Sequence, residues 1–194
     1  MSDVLETQPG PPEDVVVHPD GQPVRAATAD DADEVATLVH AAYRGEESKE
    51  GWTTEVGLVA GTRTDAEAVR MLVEEPDSVV LLVEDDDGLL ACCHLTKHDE
   101  HAYFGMFAVR PGHQGQGIGR RMLDAATLWA RAWEVPDLRL SVLNQRHELI
   151  AWYQRRDFVL TGESEPFGVD DELGRPLREG LALLTMSRPV QLEP

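Results

Sequence analysis

The sequence contains no apolar run longer than the five residues of Val79–Val83, whereas a membrane-spanning helix needs about 18. Residues 1–22 are acidic and proline-rich, and they lack the cationic start and the apolar stretch of a secretory signal. We therefore expect no membrane association, and we expect residues 1–22 to be disordered.

Basic residues are scarce. The chain has 17 Lys and Arg against 36 Asp and Glu, a formal net charge of -19. This balance excludes broad binding of nucleic acid, which requires basic patches. An acidic field favours the approach of cationic small molecules or basic peptides, although the same charge also serves solubility alone.

Cysteine is also rare, and the two cysteines, Cys92 and Cys93, are adjacent in a strand-like segment. Successive side chains of a strand point to opposite faces, so these thiols should not pair with each other. A chain without disulfides fits a reducing cytoplasm, which is the location we expect.

The hydrophobic pattern predicts one folded domain over residues 23–190, an α/β (α+β) mixed sheet with helices on its faces. A strand near Val24 leads into a helix, and a capping box of Thr64 and Glu67 opens a second helix that ends before Pro76. Two apolar runs around an acidic turn at residues 85–88 predict a hairpin. The next strand, residues 101–109, contains Gly105, which suggests a bulge or a close approach of a ligand.

The second half of the chain continues the same alternation. A helix from Ile118, a strand, a short helix from His147 and two further strands bring the total to about seven strands and four helices. We expect an acidic loop over residues 163–179 before the last strand.

The strongest local signal is a glycine-rich turn, residues 114–119, that runs from a strand directly into a helix. Unpaired amides and the helix dipole favour an anion there, and glycines let a phosphate approach the backbone. A turn that only packs helix against strand is the alternative. The Rossmann fingerprint fails because Arg120 and Met122 stand where glycine is required, and no glycine is followed by the Lys-Ser/Thr pair of a nucleotide P-loop.

Residues 101–123 contain no Asp or Glu but do contain Arg110, His113, Arg120 and Arg121. An acidic protein that binds a polyphosphate needs a segment free of acidic residues at the binding site, although a buried strand could lack acidic residues by chance.

These residues resemble the GNAT superfamily of acyl-CoA-dependent N-acyltransferases over about residues 24–188. The pyrophosphate signature of that family, Gln or Arg followed by xxGxG or xxGxA, is matched by Gln114, Gly117 and Gly119. The resemblance implies a mostly antiparallel central sheet and acetyl-CoA as co-substrate, with no metal required. The co-substrate contacts that it implies are Phe107, Ala108 and Val109 through their backbone, Gln114, Gly115, Gln116, Gly117, Ile118, Gly119, Arg120 and Asn144.

By the same resemblance, Tyr153 protonates the leaving thiolate. A phenol, with a pKa of about 10, can donate a proton to a thiolate whose thiol has a pKa of about 8.5. The alternative is a tyrosine that only packs beside Trp152. Asn144 and Tyr153 lie nine residues apart, somewhat more than is usual in the family, and Asp157 stands where glycine is commoner.

Three residues are candidates for the general base: Glu55, His94 and His101. By resemblance, Glu55 borders the acceptor pocket together with Trp52 and Thr54. A solvated loop carboxylate is the alternative for Glu55, and ordinary polar residues in or near strands are the alternative for the histidines.

We therefore expect an N-acetyltransferase in which a primary amine of a small molecule or peptide attacks acetyl-CoA directly. Three alternatives stay open: a covalent acyl group on Cys92 or Cys93, a non-catalytic acyl-CoA-binding module, and transfer to protein N-termini or lysines with residues 163–179 as a docking edge. The acidic residues favour a cationic acceptor, and a homodimer is left open.

Overall fold

The computed structural model describes residues 23–45, 48, 54–168 and 174–191. Trp52 and the N-terminal residues 1–22 lie outside the described residues. The elements in chain order are β1 (Val24–Ala26), α1 (Ala32–Tyr43), β2 (Val59–Ala60), α2 (Ala66–Glu74), β3 (Ser78–Asp85), β4 (Gly88–Lys97), β5 (Ala102–Val109), α3 (Ile118–Ala132), β6 (Asp137–Leu143), α4 (His147–Gln154), β7 (Val159–Pro166), β8 (Arg175–Pro176) and β9 (Ala182–Pro189).

A seven-stranded sheet forms the centre of the molecule, in the order β1-β3-β4-β5-β6-β9-β7. β5 and β6 pair in parallel, and the other neighbouring strands are antiparallel. The short strands β2 and β8, which the sequence pattern did not predict, pair with each other. The mixed, mostly antiparallel sheet with four helices in the described part of the chain confirms the predicted fold class.

The helices cover both faces of the sheet because the central strands bury side chains on each side. α3 and α4 pack on one face against Leu81 and Cys93, whereas α1 and α2 pack on the other against Leu82 and Cys92. The two cysteines are therefore buried on opposite faces and are free, as the strand pattern predicted.

The start of α2 differs from the prediction. Asp65, not Thr64, is the N-cap, and its Oδ1 accepts a hydrogen bond from the N–H of Ala68 at 2.8 Å. The Thr64 hydroxyl donates instead to the carbonyl of Asp65 at 3.5 Å. Either residue type can cap a helix, and the carboxylate one residue later reaches the free amide.

The predicted loop over residues 163–179 is wrong in part. β7 continues to Pro166, where Ser164 and Glu165 pair with Leu184 and Leu183 of β9. An edge strand whose side chains all face solvent tolerates acidic residues, so polarity did not reveal it. Further along, β8 pairs with β2. Among the described helices, none has the length and apolar character needed to cross a membrane.

The sheet opens at its centre, where β5 is irregular. Cys92 pairs with Ala108 and His94 with Gly105, so Met106 and Phe107 together oppose one residue of β4. Met106 has a φ of 44°. The predicted bulge is thus present directly after Gly105. On its other side, β5 pairs with β6 at Ala102–Leu138 and Tyr103–Arg139. Beyond these pairs the two strands separate, and a cleft begins.

Candidate active site

The glycine-rich turn presents open backbone at the start of α3. Gly115 and Gly117 have φ values of 83° and 85°, in the left-handed region that favours glycine. A Cβ on either residue would meet nothing within 4 Å, so the backbone conformation, not packing, selects glycine. The amides of residues 118–120 precede the first helical bond, from Arg121 N–H to Gly117 O at 3.1 Å. These donors are suited to an anion.

Gly119 has a different role from the other glycines of the turn. A Cβ there would lie 3.2 Å from Phe107 Cζ and 3.3 Å from Trp152 Cζ2, so glycine is needed for close packing of α3. The packing interpretation of the turn therefore applies to this position. Ile118 has its side chain in the core, and Arg120 is largely exposed, 3.8 Å from Asp124. Because the side chain of Ile118 is buried in the core, only the backbone of this residue can contact a ligand.

Side chains brace the end of β5 next to the turn. Gln114 Nε2 donates to the carbonyl of Val109 at 3.2 Å, and the Tyr43 hydroxyl donates to the carbonyl of Phe107. Ala108 is fully buried opposite Cys92. Gln114 thus connects the turn to the strand that precedes it. Of the three residues predicted to contact the co-substrate through their backbone, Phe107 and Val109 each already accept one hydrogen bond on their carbonyl.

A cavity of about 620 Å³ lies where β5 and β6 separate, which is within the usual size range of small-molecule sites. Its wall combines residues of the bulged strand with residues of β6, α2 and α4. The members that concern the chemistry are Tyr43, Glu55, Arg63, His94, Tyr103, Phe107, Arg146 and Tyr153.

Tyr153 is 5% exposed and packs edge-on against Trp152 and Phe158, with ring centroids 5.1 and 5.5 Å apart. Burial raises the pKa of its phenol well above the ordinary value of 10.0. The phenol is therefore protonated at neutral pH, and Tyr153 is one of the residues that line the cavity. Its role as a general acid stays a prediction.

Glu55 is 5% exposed and lines the cavity, so the alternative of a solvated loop carboxylate does not hold. Its Oε2 lies 2.8 Å from Arg44 Nη1, and its Oε1 lies 3.9 Å from Arg146 Nη1. Both carboxylate oxygens thus face guanidinium groups, an arrangement that holds the two arginines in place. Thr54 shares a hydrogen bond with Ser48 at 2.9 Å and accepts from Val56 N–H.

The two histidine candidates separate in the structure. His94 is in the cavity wall, and its Nε2 lies 2.8 Å from Ser78 Oγ and 3.2 Å from Thr96 Oγ1. Burial lowers its pKa to about 4, so the ring is neutral and only weakly basic. His101 stacks on His98 with ring centroids 4.7 Å apart. The pKa of His101 is lowered, mainly because the ring is partly buried and to a smaller extent because of the positive charge of Arg139.

Asn144 connects two strands. Its Nδ2 donates to the carbonyl of Gly180 at 2.9 Å, and its Oδ1 accepts from Ala182 N–H at 3.2 Å. These bonds tie the end of β6 to the start of β9. The side-chain amide therefore has a structural role in the chain itself, and a contact with the co-substrate stays a prediction.

Three residues of the wall were missed by the sequence interpretation: Tyr43, Arg63 and Arg146. Tyr43 ends an amphipathic helix, where it looked like an ordinary core residue, and the two arginines lie in segments without a motif. They meet because α1, α2 and α4 converge on one cavity. No spacing along the chain carried that information.

The model of the acetyltransferase (GNAT) family matches residues 41–158. The chain belongs to this GNAT family. The matched region begins in α1 and ends after α4, so it contains the turn, the bulged strand and Tyr153. Membership supports acetyl transfer by an N-acyltransferase in general terms and agrees with the predicted superfamily.

Solved structures of the family share the fold. The ribosomal-protein-S18-alanine N-acetyltransferase of Escherichia coli has a TM-score of 0.65 and 15% identity, covering 89% of this chain and 96% of its own. Nourseothricin acetyltransferase has a TM-score of 0.53 and 28% identity, over 60% and 67% of the two chains. A GNAT acetyltransferase of Elizabethkingia anophelis with acetyl-CoA bound has a TM-score of 0.55 and 20% identity, over 63% and 82%. A search of curated proteins finds no significant match.

Proposed function

We propose that this GNAT protein transfers the acetyl group of acetyl-CoA to a primary amine of a small molecule, by direct attack in a ternary complex. The observation that carries the proposal is that one residue of the bulge, Phe107, connects the turn to the cavity. Its Cζ would lie 3.2 Å from a Cβ on Gly119 of the turn, and Phe107 lines the cavity together with Tyr153. A bound thioester needs the turn, the bulge and the cavity.

The turn is the proposed binding site of the CoA diphosphate. Backbone N–H groups of residues 115–120 supply the donors, and each charge-assisted bond contributes about 1.5–3 kcal/mol. Residues 101–123 contain no carboxylate that would repel the diphosphate. The pantetheine arm would continue along residues 107–109 toward the bulge, which places the thioester beside the cavity.

The chemical step follows from the groups around the bulge. The amine nitrogen attacks the thioester carbonyl, so that a C–N bond forms and the C–S bond breaks, and backbone N–H groups of the bulged strand stabilise the oxyanion. Tyr153 donates its proton to the departing sulfur, and the proton that the nitrogen loses as the amide forms restores the phenol. Burial raises the pKa of the Cys92 thiol to about 12, which disfavours an acyl-cysteine route.

The ammonium form of the acceptor must lose a proton before attack. Glu55 is already paired with Arg44 and Arg146, and burial lowers the pKa of His94 to about 4, so we assign this proton to neither residue. We propose that water in the cavity takes this proton, and that Glu55 acts as a positioning residue. The buried, free cysteines support a cytoplasmic location.

The test is release of free thiol from acetyl-CoA in the presence of a panel of small amines and peptides, with mass spectrometry of the products. We expect an acetylated small amine. CoA binding without thiol release for any acceptor would overturn the proposal in favour of a binding module, and acetylation confined to peptides would favour a protein acetyltransferase. A Cys92→Ala/Cys93→Ala variant that retains activity would exclude the covalent route.

A further inference from the structure

Arg63 stands out in the cavity wall because its guanidinium contacts an aromatic ring and forms no ion pair with a carboxylate among the described residues. It lies between β2 and α2, and its Cζ is 4.7 Å from the centroid of the Tyr43 ring. Its Nε is buried and has no hydrogen-bond acceptor among the described residues. A guanidinium placed in this way has donor capacity that a ligand can use.

The other charged groups of the cavity leave that capacity open. Glu55, the carboxylate that attracts Arg63 most, forms its ion pairs with Arg44 and Arg146, and within the part of the chain that the structure describes no ion pair is formed by Arg63. Asp65 and Glu75 also border the cavity, but both are exposed, and Asp65 caps α2. A guanidinium that no carboxylate of the described residues pairs can form an ion pair with an anionic ligand.

The position of Arg63 relative to the bulge sets the size of such a ligand. The Tyr43 ring lies between them, since the guanidinium stacks on the ring and the Tyr43 hydroxyl donates to Phe107 O. About one phenol ring therefore separates Arg63 from the place where the acceptor amine would attack. This spacing corresponds to an amine and an acidic group a few bonds apart.

We propose that the acceptor is an amino acid or a similar small amine, whose carboxylate is bound by Arg63 while its amine attacks the thioester. The inference rests on the proposed function and specifies its substrate class. Arginine is the side chain best matched to a carboxylate, because its planar fork donates two parallel hydrogen bonds. The cationic acceptor expected from the net charge reflected the acidic surface, whereas the carboxylate inside the cavity, Glu55, is already paired.

The experiment compares α-, β- and γ-amino acids with their primary amides as acceptors of acetyl-CoA. We expect at least one acid to exceed its amide in kcat/KM by about 10- to 100-fold. Arg63→Met keeps the stem over Tyr43 and removes the charge, and it should raise KM for the acid at least tenfold while leaving the amide unchanged. Arg63→Lys should restore part of the loss. Arg70→Met, which removes an arginine paired with Asp33 at 2.8 Å on the exposed side of α2, is the matched control.

Two results would overturn the inference while the proposed function stands. In the first, the amides are acetylated as well as or better than their acids. In the second, Arg63→Met raises KM equally for the acid and for the amide. Acetylation of no amine at all would overturn the proposed function together with it. If Arg63→Met does not fold, as judged by its melting temperature, the Arg63→Lys variant and calorimetric binding of acid against amide to the CoA-saturated wild type decide the question.

Discussion

The two ends of the candidate site are built by different means. The glycine-rich turn at residues 114–119 offers backbone N–H groups, and Gly115 and Gly117 leave the space next to them open. The cavity offers side chains instead, with Glu55 held between arginines and Tyr153 buried in the wall. Backbone donors carry little information about the ligand beyond its charge, and side chains select for shape and chemistry. The turn therefore suits a carrier common to a family, and the cavity suits a particular acceptor.

The largest effect should come from the buried ion pairs of the cavity. Glu55→Gln leaves Arg44 and Arg146 without their shared carboxylate, and removing one partner of a buried pair costs about 3–5 kcal/mol of unfolding free energy. Urea unfolding measures the loss. The matched control is Glu84→Gln, whose carboxylate is 41% exposed and 2.7 Å from Arg25, and which should cost less than about 1 kcal/mol. Equal losses of unfolding free energy in the two variants would contradict the claim that the buried pairs of Glu55 contribute more than an exposed pair.

His94, in the cavity wall, should make the unfolding free energy depend on pH. Its pKa is lowered from 6.5 to about 4, so between these values the unfolded chain binds a proton that the native protein does not. The unfolding free energy therefore falls as the pH drops through this window, by about 3 kcal/mol in total. Unfolding curves at several pH values should show a shallower fall for His94→Gln. Parallel pH profiles for the two proteins would contradict the neutral, buried ring.

Tyr153→Phe separates the chemical step from co-substrate binding. Loss of a general acid typically costs 10²–10⁴-fold, and we expect about 100-fold in kcat because a thiolate is a good leaving group. Calorimetry should give a nearly unchanged Kd for CoA, since the proposed site of the diphosphate is the turn and not Tyr153. Unchanged turnover would remove Tyr153 from the mechanism.

Gly117→Ala tests the other end of the site. The new Cβ meets no protein atom within 4 Å, but the φ of 85° is strained for alanine and the methyl group would occupy the space that we propose for a phosphate. We expect about tenfold weaker binding of CoA, or about 1.4 kcal/mol. Gly162→Ala, with a φ of 90° and equally open space in β7, carries the same strain without the site. If Gly162→Ala weakened CoA binding as much, general destabilisation would explain the effect.

The sequence predicted the glycine-rich turn better than it predicted the cavity. The turn was recognised because all its elements, from Gln114 to Gly119, are contiguous and a helix start follows them. The hairpin and the opposite orientation of Cys92 and Cys93 were predicted for a similar reason, since alternation in a strand is a local property. The cap of α2 was misplaced by one residue because Thr64 and Asp65 are both good capping residues.

The acceptor side could not be predicted in this way. Arg146 lies far along the chain from Glu55 and Arg63, and the three line one cavity through the packing of helices on a sheet, so the pairing of Glu55 was not predicted and Arg63 carried no signal. The polar edge strand β7 was likewise hidden, because its pairing with β9 is made by the backbone and leaves no apolar pattern. Such non-local juxtapositions require the structure.

The most direct test of the account is an amide chemical-shift titration of the ¹⁵N-labelled protein with CoA, and in parallel with pantetheine, which lacks the diphosphate. We predict large shifts for the amides of residues 115–120 with CoA and none at these positions with pantetheine. Shifts confined to other parts of the protein, or equal shifts with both compounds, would contradict the claim that the main chain of this turn binds the diphosphate.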